Sequence, residues 1–336
     1  MKARRDSLPG RLPPPPQAPA IKPWARRLLG PLHFSGATWY RIHYWAAGRI
    51  PERAVRILLP LFAGAFFLFL TGVRRALAAN GAAVHEALTG RRMGWLASRR
   101  HAWRTLLHHS WCMTETYEAL AGRAPEPEPE PEVEVEVEVE GIEHWQELDP
   151  RQGLVLVTAH VGHWEVGSRL AGTAGAREVH VVREPELDPQ AQEFLGGLLA
   201  AAGGHGYHVH FAHPGDPTLG ARLLAALRRG EVVALQGDRP RQGGRTIGVE
   251  LFGRPYDLPL GPLALARSAG VPLLPVFALR AGRRRSTMVF RPPILIASDR
   301  DRDQALAAAA RRLAADLEAV LARAPDQWFC FRRVWE

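Results

Sequence analysis

Leu154-Val155-Leu156-Val157-Thr158-Ala159-His160-Val161-Gly162-His163-Trp164-Glu165 is the stretch that decides the fold class. It opens on an uninterrupted branched apolar run, which predicts a strand buried on both faces, as in the interior of a parallel sheet. The run ends in His160. Gly162 leaves backbone room for a close turn, and a helix can begin near His163 or Trp164. Glu165 then falls in the first helical turn, where the positive end of the helix dipole favours its ionised form. An imidazole at a strand end suits a general base, because its unperturbed pKa leaves much of it in the proton-accepting form near neutrality. A carboxylate can accept the other ring N–H, fix the tautomer and stabilise the imidazolium. Glu165 is the candidate for that role. No Ser or Cys nucleophile motif accompanies the pair, which points to a base acting on a substrate's own hydroxyl.

Working outward, strand patterns recur at 154–158, 179–182, 208–211, 232–235, 273–278 and 287–290. Helical patterns fall near 164–171, 189–202, 218–229, 262–269 and 303–324. This alternation over 141–336 predicts an α/β domain with a mostly parallel sheet sandwiched by helices. Chemistry in such sheets gathers beyond the carboxyl ends of the strands. Arg183 ends the second strand and is suited to phosphate binding or oxyanion stabilisation. Asp238 ends the fourth, followed by Arg239, Arg241 and Arg245 in a glycine-containing loop. That loop lacks the P-loop pattern, but it could hold an anionic group, with Asp238 capping the turn and organising the arginines. His160 and His163 are three apart, yet no further cluster with ligand spacing follows, so neither a metal nor another cofactor is expected.

The 336-residue chain carries a net charge of +9 that is unevenly spread. Residues 1–104 hold 18 Lys/Arg against 3 Asp/Glu, whereas residues 105–150 hold 1 against 13. The basic part suits an anionic partner, either nucleic acid or a membrane surface. The uncharged run ILLPLFAGAFFLFLTG, residues 57–72, favours the membrane: it is flanked by Arg53, Arg56, Arg74 and Arg75. It is short for a span and contains Pro60, so it reads as a half-inserted or interfacial anchor. A nucleic-acid binder leaves both this run and the His160–Glu165 placement unexplained. The expected organisation is a disordered proline-rich tail at 1–23, a helical membrane-associated region at 24–124, an acidic low-complexity linker (PEPEPEPEVEVEVEVE) at 125–140, and the α/β domain at 141–336. The Val-Glu half of the linker has strand period and could pair at a sheet edge. Cys112 and Cys330 fit no metal or redox spacing and read as free thiols.

In order and spacing, several strings together resemble the late acyltransferases of bacterial lipid A biosynthesis, the lauroyl/myristoyl acyltransferase family. They are the apolar N-terminal segment with Arg74, Arg75 and Asn80; T-A-H-V-G-H-W-E; the strand-ending Arg183; G-D-R-P with L-F-G-R-P; L-A-R-S-A-G-V-P-L-L-P-V-F; and P-D-Q-W-F-C-F-R-R. The resemblance implies a glycerolipid acyltransferase-like fold at the cytoplasmic face of the inner membrane. It also implies transfer of a fatty acyl chain from acyl carrier protein to a hydroxyl of a lipid A precursor or another polar lipid. It casts His160 as general base, Glu165 as its orienting acid, and Arg183, Asp238 and Arg239 as oxyanion- or substrate-binding groups. Departures are His163 where relatives commonly carry Asn, the lack after Arg183 of the usual Asn-Pro and a following Arg/Lys pair, with Gly203-Gly204-His205 in place of much of that basic character, and the Pro-Glu insert. A thioesterase or hydrolase would differ only in using water as acceptor.

Overall fold

The Leu154–Thr158 run forms a central strand with all five residues buried. A computed structural model of the chain describes residues 37–121, 136–164, 177–186, 188–203, 206–213, 216–241, 243–299 and 301–335. The expected tail at 1–23, residues 125–135 of the acidic stretch, and Glu165 with the rest of the helix expected at 164–171 lie outside the described residues.

The strands are β1 (Glu136–Glu140), β2 (Leu154–Thr158), β3 (Val179–Arg183), β4 (Tyr207–Phe211), β5 (Val232–Gln236), β6 (Thr246–Leu251), β7 (Arg254–Pro259), β8 (Leu273–Gly282) and β9 (Arg285–Phe290). Seven of them make one sheet in the order β1-β9-β8-β2-β5-β3-β4. From β8 to β4 all neighbours are parallel, and β9 returns antiparallel to β8. β2 lies between β5 and β8, which is why its sequence shows no polar alternation. Leu154 and Leu156 face one core with Val179, Val181 and Val232. Val155 and Val157 face the larger core on the other side.

Three helices of the α/β region line that larger core, α7 (Leu219–Arg228), α8 (Leu260–Ala269) and α9 (Arg302–Arg323), joined by Ala83 and Val84 from the N-terminal helices. The N-terminal helices are α1 (Ala37–Arg49), α2 (Glu52–Phe69), α3 (Thr71–Thr89) and α4 (Trp95–Leu120), with the short α5 (Glu143–Gln146) and α6 (Pro189–Gly203) later in the chain. At the start of α9, Asp301 accepts from the backbone N–H of Asp303 and Gln304, a side-chain cap for two otherwise unpaired donors.

The edge pairing of the Val-Glu repeat follows its strand period, whereas a separate two-stranded sheet does not follow from the sequence. The Val-Glu repeat is the edge strand β1, parallel to β9. Residues 246–259 form an antiparallel hairpin, β6–β7, that the sequence hides. Pro255 and Pro259 argue against a strand, and the turn places Phe252 (φ 54) and Gly253 (φ 68) in the left-handed region. That is the backbone of a two-residue primed turn, but Phe is an uncommon residue to occupy it.

The helix α2 has two apolar faces. Val55, Leu59 and Ala63 are buried, whereas Ile57, Leu58, Leu61, Phe62, Leu68 and Phe69 are exposed. Among the described residues no single helix is long and apolar enough to cross a membrane; α2 and α3 meet those criteria only as a pair, bent by 95° at their junction. The helical region is fastened to the sheet by ion pairs. Glu118 meets Arg283 at 2.7 Å, Glu52 meets Arg283 at 3.3 Å, and Glu115 meets Arg280 at 3.3 Å.

Candidate active site

The register of two adjacent parallel strands builds the site. Thr158 of β2 pairs with Gln236 of β5, so His160 and Asp238 stand level, each two residues beyond its strand. The strands stay together past their ends because the Gly237 N–H donates to the Thr158 carbonyl at 2.8 Å. A Cβ on Gly237 would sit 2.4 Å from a Val157 methyl, so this approach requires glycine. Gly162 is likewise constrained: its φ is +53°, and a Cβ there would lie 2.3 Å from the Ala278 carbonyl oxygen.

His160 Nδ1 lies 2.8 Å from Asp238 Oδ1. The Trp328 indole N–H donates to Asp238 Oδ2 at 3.1 Å, and the Tyr256 hydroxyl donates to the Asp238 backbone carbonyl. Asp238 is fully buried. Burial, the largest single influence, would raise its pKa; the His160 charge and hydrogen bond, Arg239 and Trp328 together outweigh it and hold the carboxyl well below the usual carboxylate range. An ionised Asp238 can only accept, so Nδ1 carries the ring proton and the lone pair is on Nε2. Burial lowers the His160 pKa against the opposing pull of Asp238, with Arg239 adding to the lowering. The ring is therefore neutral near pH 7, and Nε2 can take a proton.

Cations surround the dyad. The Arg183 guanidinium stacks over the Trp164 ring at 5.4 Å, and that ring packs on His160 with centroids 5.7 Å apart. Arg239 donates to the Phe329 carbonyl at 3.5 Å. The C-terminal segment forms the back of the site: the Phe329 N–H donates to the His160 carbonyl, and Val161 bridges Trp328. Asn80 of α3 holds that segment by donating to the Cys330 and Arg332 carbonyls and accepting from the Val334 N–H.

His163 faces away from His160. Its Nδ1 is 2.6 Å from the Ser286 hydroxyl, and its Nε2 is 2.6 Å from a Glu115 carboxylate oxygen. Both ring nitrogens thus serve the attachment of α4 to β9. The N–H groups of Val161, Gly162 and His163 already donate to carbonyls of Ala159, Gln327 and Ala278.

Of the residues singled out in the sequence, His160, Arg183, Asp238 and Arg239 meet at the carboxyl edge of the sheet, while Glu165 lies outside the described residues. Asp238 is the Nδ1 partner of His160, a position that spacing along the chain does not suggest because the two lie 78 positions apart. Tyr256 carries no signal in the sequence, and Asn80 and Trp328 appear there only within the strings that carry the resemblance. The P-D-Q-W-F-C-F-R-R string was the available signal for Trp328, since one tryptophan and two phenylalanines within nine residues must bury against something.

Residues 210–336 match the family described as bacterial lipid A biosynthesis acyltransferase. The matched part contains Asp238, Arg239 and Trp328; His160 and Arg183 precede it. A comparison with curated proteins gave no match.

Proposed function

We propose, from the match of residues 210–336 to the bacterial lipid A biosynthesis acyltransferase family, that the chain is a membrane-associated O-acyltransferase that moves a fatty acyl group from acyl carrier protein to a hydroxyl of a lipid A precursor or a related polar lipid. The observation that carries this reading is the His160–Asp238 dyad at the carboxyl edge of the sheet.

In the proposed reaction, Nε2 of His160 takes the acceptor's hydroxyl proton as the oxygen attacks the thioester carbonyl. A C–O bond forms, and the carbonyl electron pair moves onto oxygen. Asp238 stabilises the imidazolium. As the intermediate collapses, the C–S bond breaks and the thiolate leaves with the electron pair; the imidazolium proton then neutralises it. The N–H groups of residues 161–163 are committed to carbonyls. That favours Arg183 or Arg239 as the cation facing the oxyanion. The exposed stripe of α2, about 27 Å long for an 18-residue helix, with Arg53 and Arg75 nearby, suits insertion into the interfacial layer of an anionic membrane. That surface would sit on the cytoplasmic face of the inner membrane, where acyl carrier protein is accessible.

The test is an incubation of purified protein with an acyl carrier protein thioester and lipid acceptors, read by lipid mass spectrometry. The expected product is heavier by one acyl residue, and a deletion strain should accumulate the species lighter by one. His160→Ala should abolish transfer while leaving membrane association intact. Full activity in that variant sinks the mechanism, and release of free fatty acid without an acylated lipid identifies a hydrolase instead.

A further inference from the structure

A groove of about 540 Å³ lies between α3, the β6–β7 turn and the C-terminal segment, on the far side of the aromatic layer that supports Asp238. Its floor is small: Ala79, Ala82 and Ala83 recur at helical spacing on α3. Its rim carries Arg92, Arg254 and Arg333, drawn from three segments far apart in sequence. The one carboxylate among its lining residues is Glu86, 2.7 Å from Arg254 and 3.7 Å from Arg92. The lining therefore carries a net charge of +2. The Arg333 Nε donates to the Trp335 carbonyl at 2.7 Å, and its two Nη groups make no hydrogen bond among the described residues. Those Nη groups are parallel N–H donors of the kind that bind phosphate in bidentate fashion. A phosphate monoester carries about −1.5 to −2 charges near neutrality, which balances the lining.

The groove's surroundings indicate how such a phosphate is delivered. Met93 lines the groove, and Trp95 and Leu96, at the start of α4, are exposed apolar residues. Leu88, two positions beyond Glu86, is exposed as well, and the Arg99 guanidinium lies 4.7 Å from the Trp95 ring centroid. Exposed Trp and Leu beside arginines form a surface for the headgroup layer of a bilayer. On the inner side, the Trp335 ring packs on Tyr256 and Trp328 at 6.0 and 5.9 Å, and both of those residues hold Asp238.

We propose that this groove binds a phosphate monoester carried on a lipid headgroup, with Arg254 and Arg333 as the principal contacts. That the bound lipid is the acyl acceptor rests on the acyl-transfer reading; the binding itself does not.

The test uses the purified full chain and three probes: phosphatidylcholine vesicles, the same vesicles containing phosphatidic acid, and inorganic phosphate. The double variant Arg254→Gln/Arg333→Gln is compared with a charge-matched control remote from the groove, Arg228→Gln/Arg311→Gln, after thermal melting shows that both are folded. The expected result is phosphatidic-acid-dependent binding weakened about tenfold or more in the groove variant, the size of losing charge-assisted hydrogen bonds. Binding should be unchanged in the control, and inorganic phosphate should compete weakly. Equal weakening in both variants, or none in the groove variant, overturns the site. Inorganic phosphate binding as tightly as the phosphatidic acid vesicles overturns the lipid assignment. His160→Ala should bind like the parent. If no transfer is ever detected while groove-dependent binding persists, the acyl-transfer reading fails and this one stands.

Discussion

Replacing Asp238 with Asn separates the electrostatic role of the dyad from its geometry. The Asn side chain is nearly isosteric, and its oxygen can still accept from Trp328 while its amide donates to His160 Nδ1, so no buried polar group loses a partner. Two things change. A donor facing Nδ1 forces the ring proton onto Nε2, and the lone pair then points at the amide instead of the substrate. The imidazolium formed in the reaction also loses its counter-charge. With charge centres about 4 Å apart and an effective dielectric near 20, that loss costs about 4 kcal/mol, or about a thousandfold in rate. The prediction is a fall of about 10³ or more in kcat for acyl transfer with KM little altered, measured with a thioester donor under saturating acceptor. The pH dependence gives a second readout. Asp238 raises the His160 pKa, opposing the lowering by burial, so its neutralisation moves the acid limb of the residual activity to lower pH. Activity within tenfold of the parent with an unmoved acid limb refutes the reasoning.

Other residues make comparable tests. Asn80→Ala should cost about 2–3 kcal/mol, because the Cys330 and Arg332 carbonyls and the Val334 N–H lose their partner; urea unfolding measures this, and faster tryptic cleavage near Arg332 should accompany it. Burial pushes the His109 pKa from 6.5 down to about 3, where the ring packs against Phe329 and Phe331. The unfolded chain therefore binds a proton that the native one does not between those values, and stability should fall as pH drops through that window by about 1.4 kcal/mol per pH unit. His109→Phe should flatten that slope by the same amount in denaturation curves taken at several pH values. Leu61→Asp with Phe69→Asp places charges on the exposed stripe of α2 and should reduce co-sedimentation with anionic vesicles several-fold or more without altering thermal stability.

Much of the architecture could be read from residue patterns. The β2 run, the turn at Gly162 and the alternation of strand and helix after residue 141 are local properties, set by side-chain branching and backbone freedom. They placed His160, Arg183 and Asp238 at strand ends. The β6–β7 hairpin could not be read, because Pro255, Pro259 and Phe252 each violate the local preference for the conformation they adopt. The edge strand β1 was legible only as a strand-period repeat. What it pairs with depends on β9, some 150 residues away.

The site divides in the same way. The sequence by itself determined that an imidazole would stand at the carboxyl end of a buried strand with cations following nearby strands, because period and apolarity decide where strands stop. Only the tertiary structure decided which carboxylate that imidazole meets. Asp238 becomes the partner through the strand order β2–β5 and the pairing of Thr158 with Gln236, and a one-residue change of register would turn it to the opposite face. Strand order and register are set by the packing of helices on both faces and by the close approach at Gly237, interactions between residues that the chain itself keeps far apart.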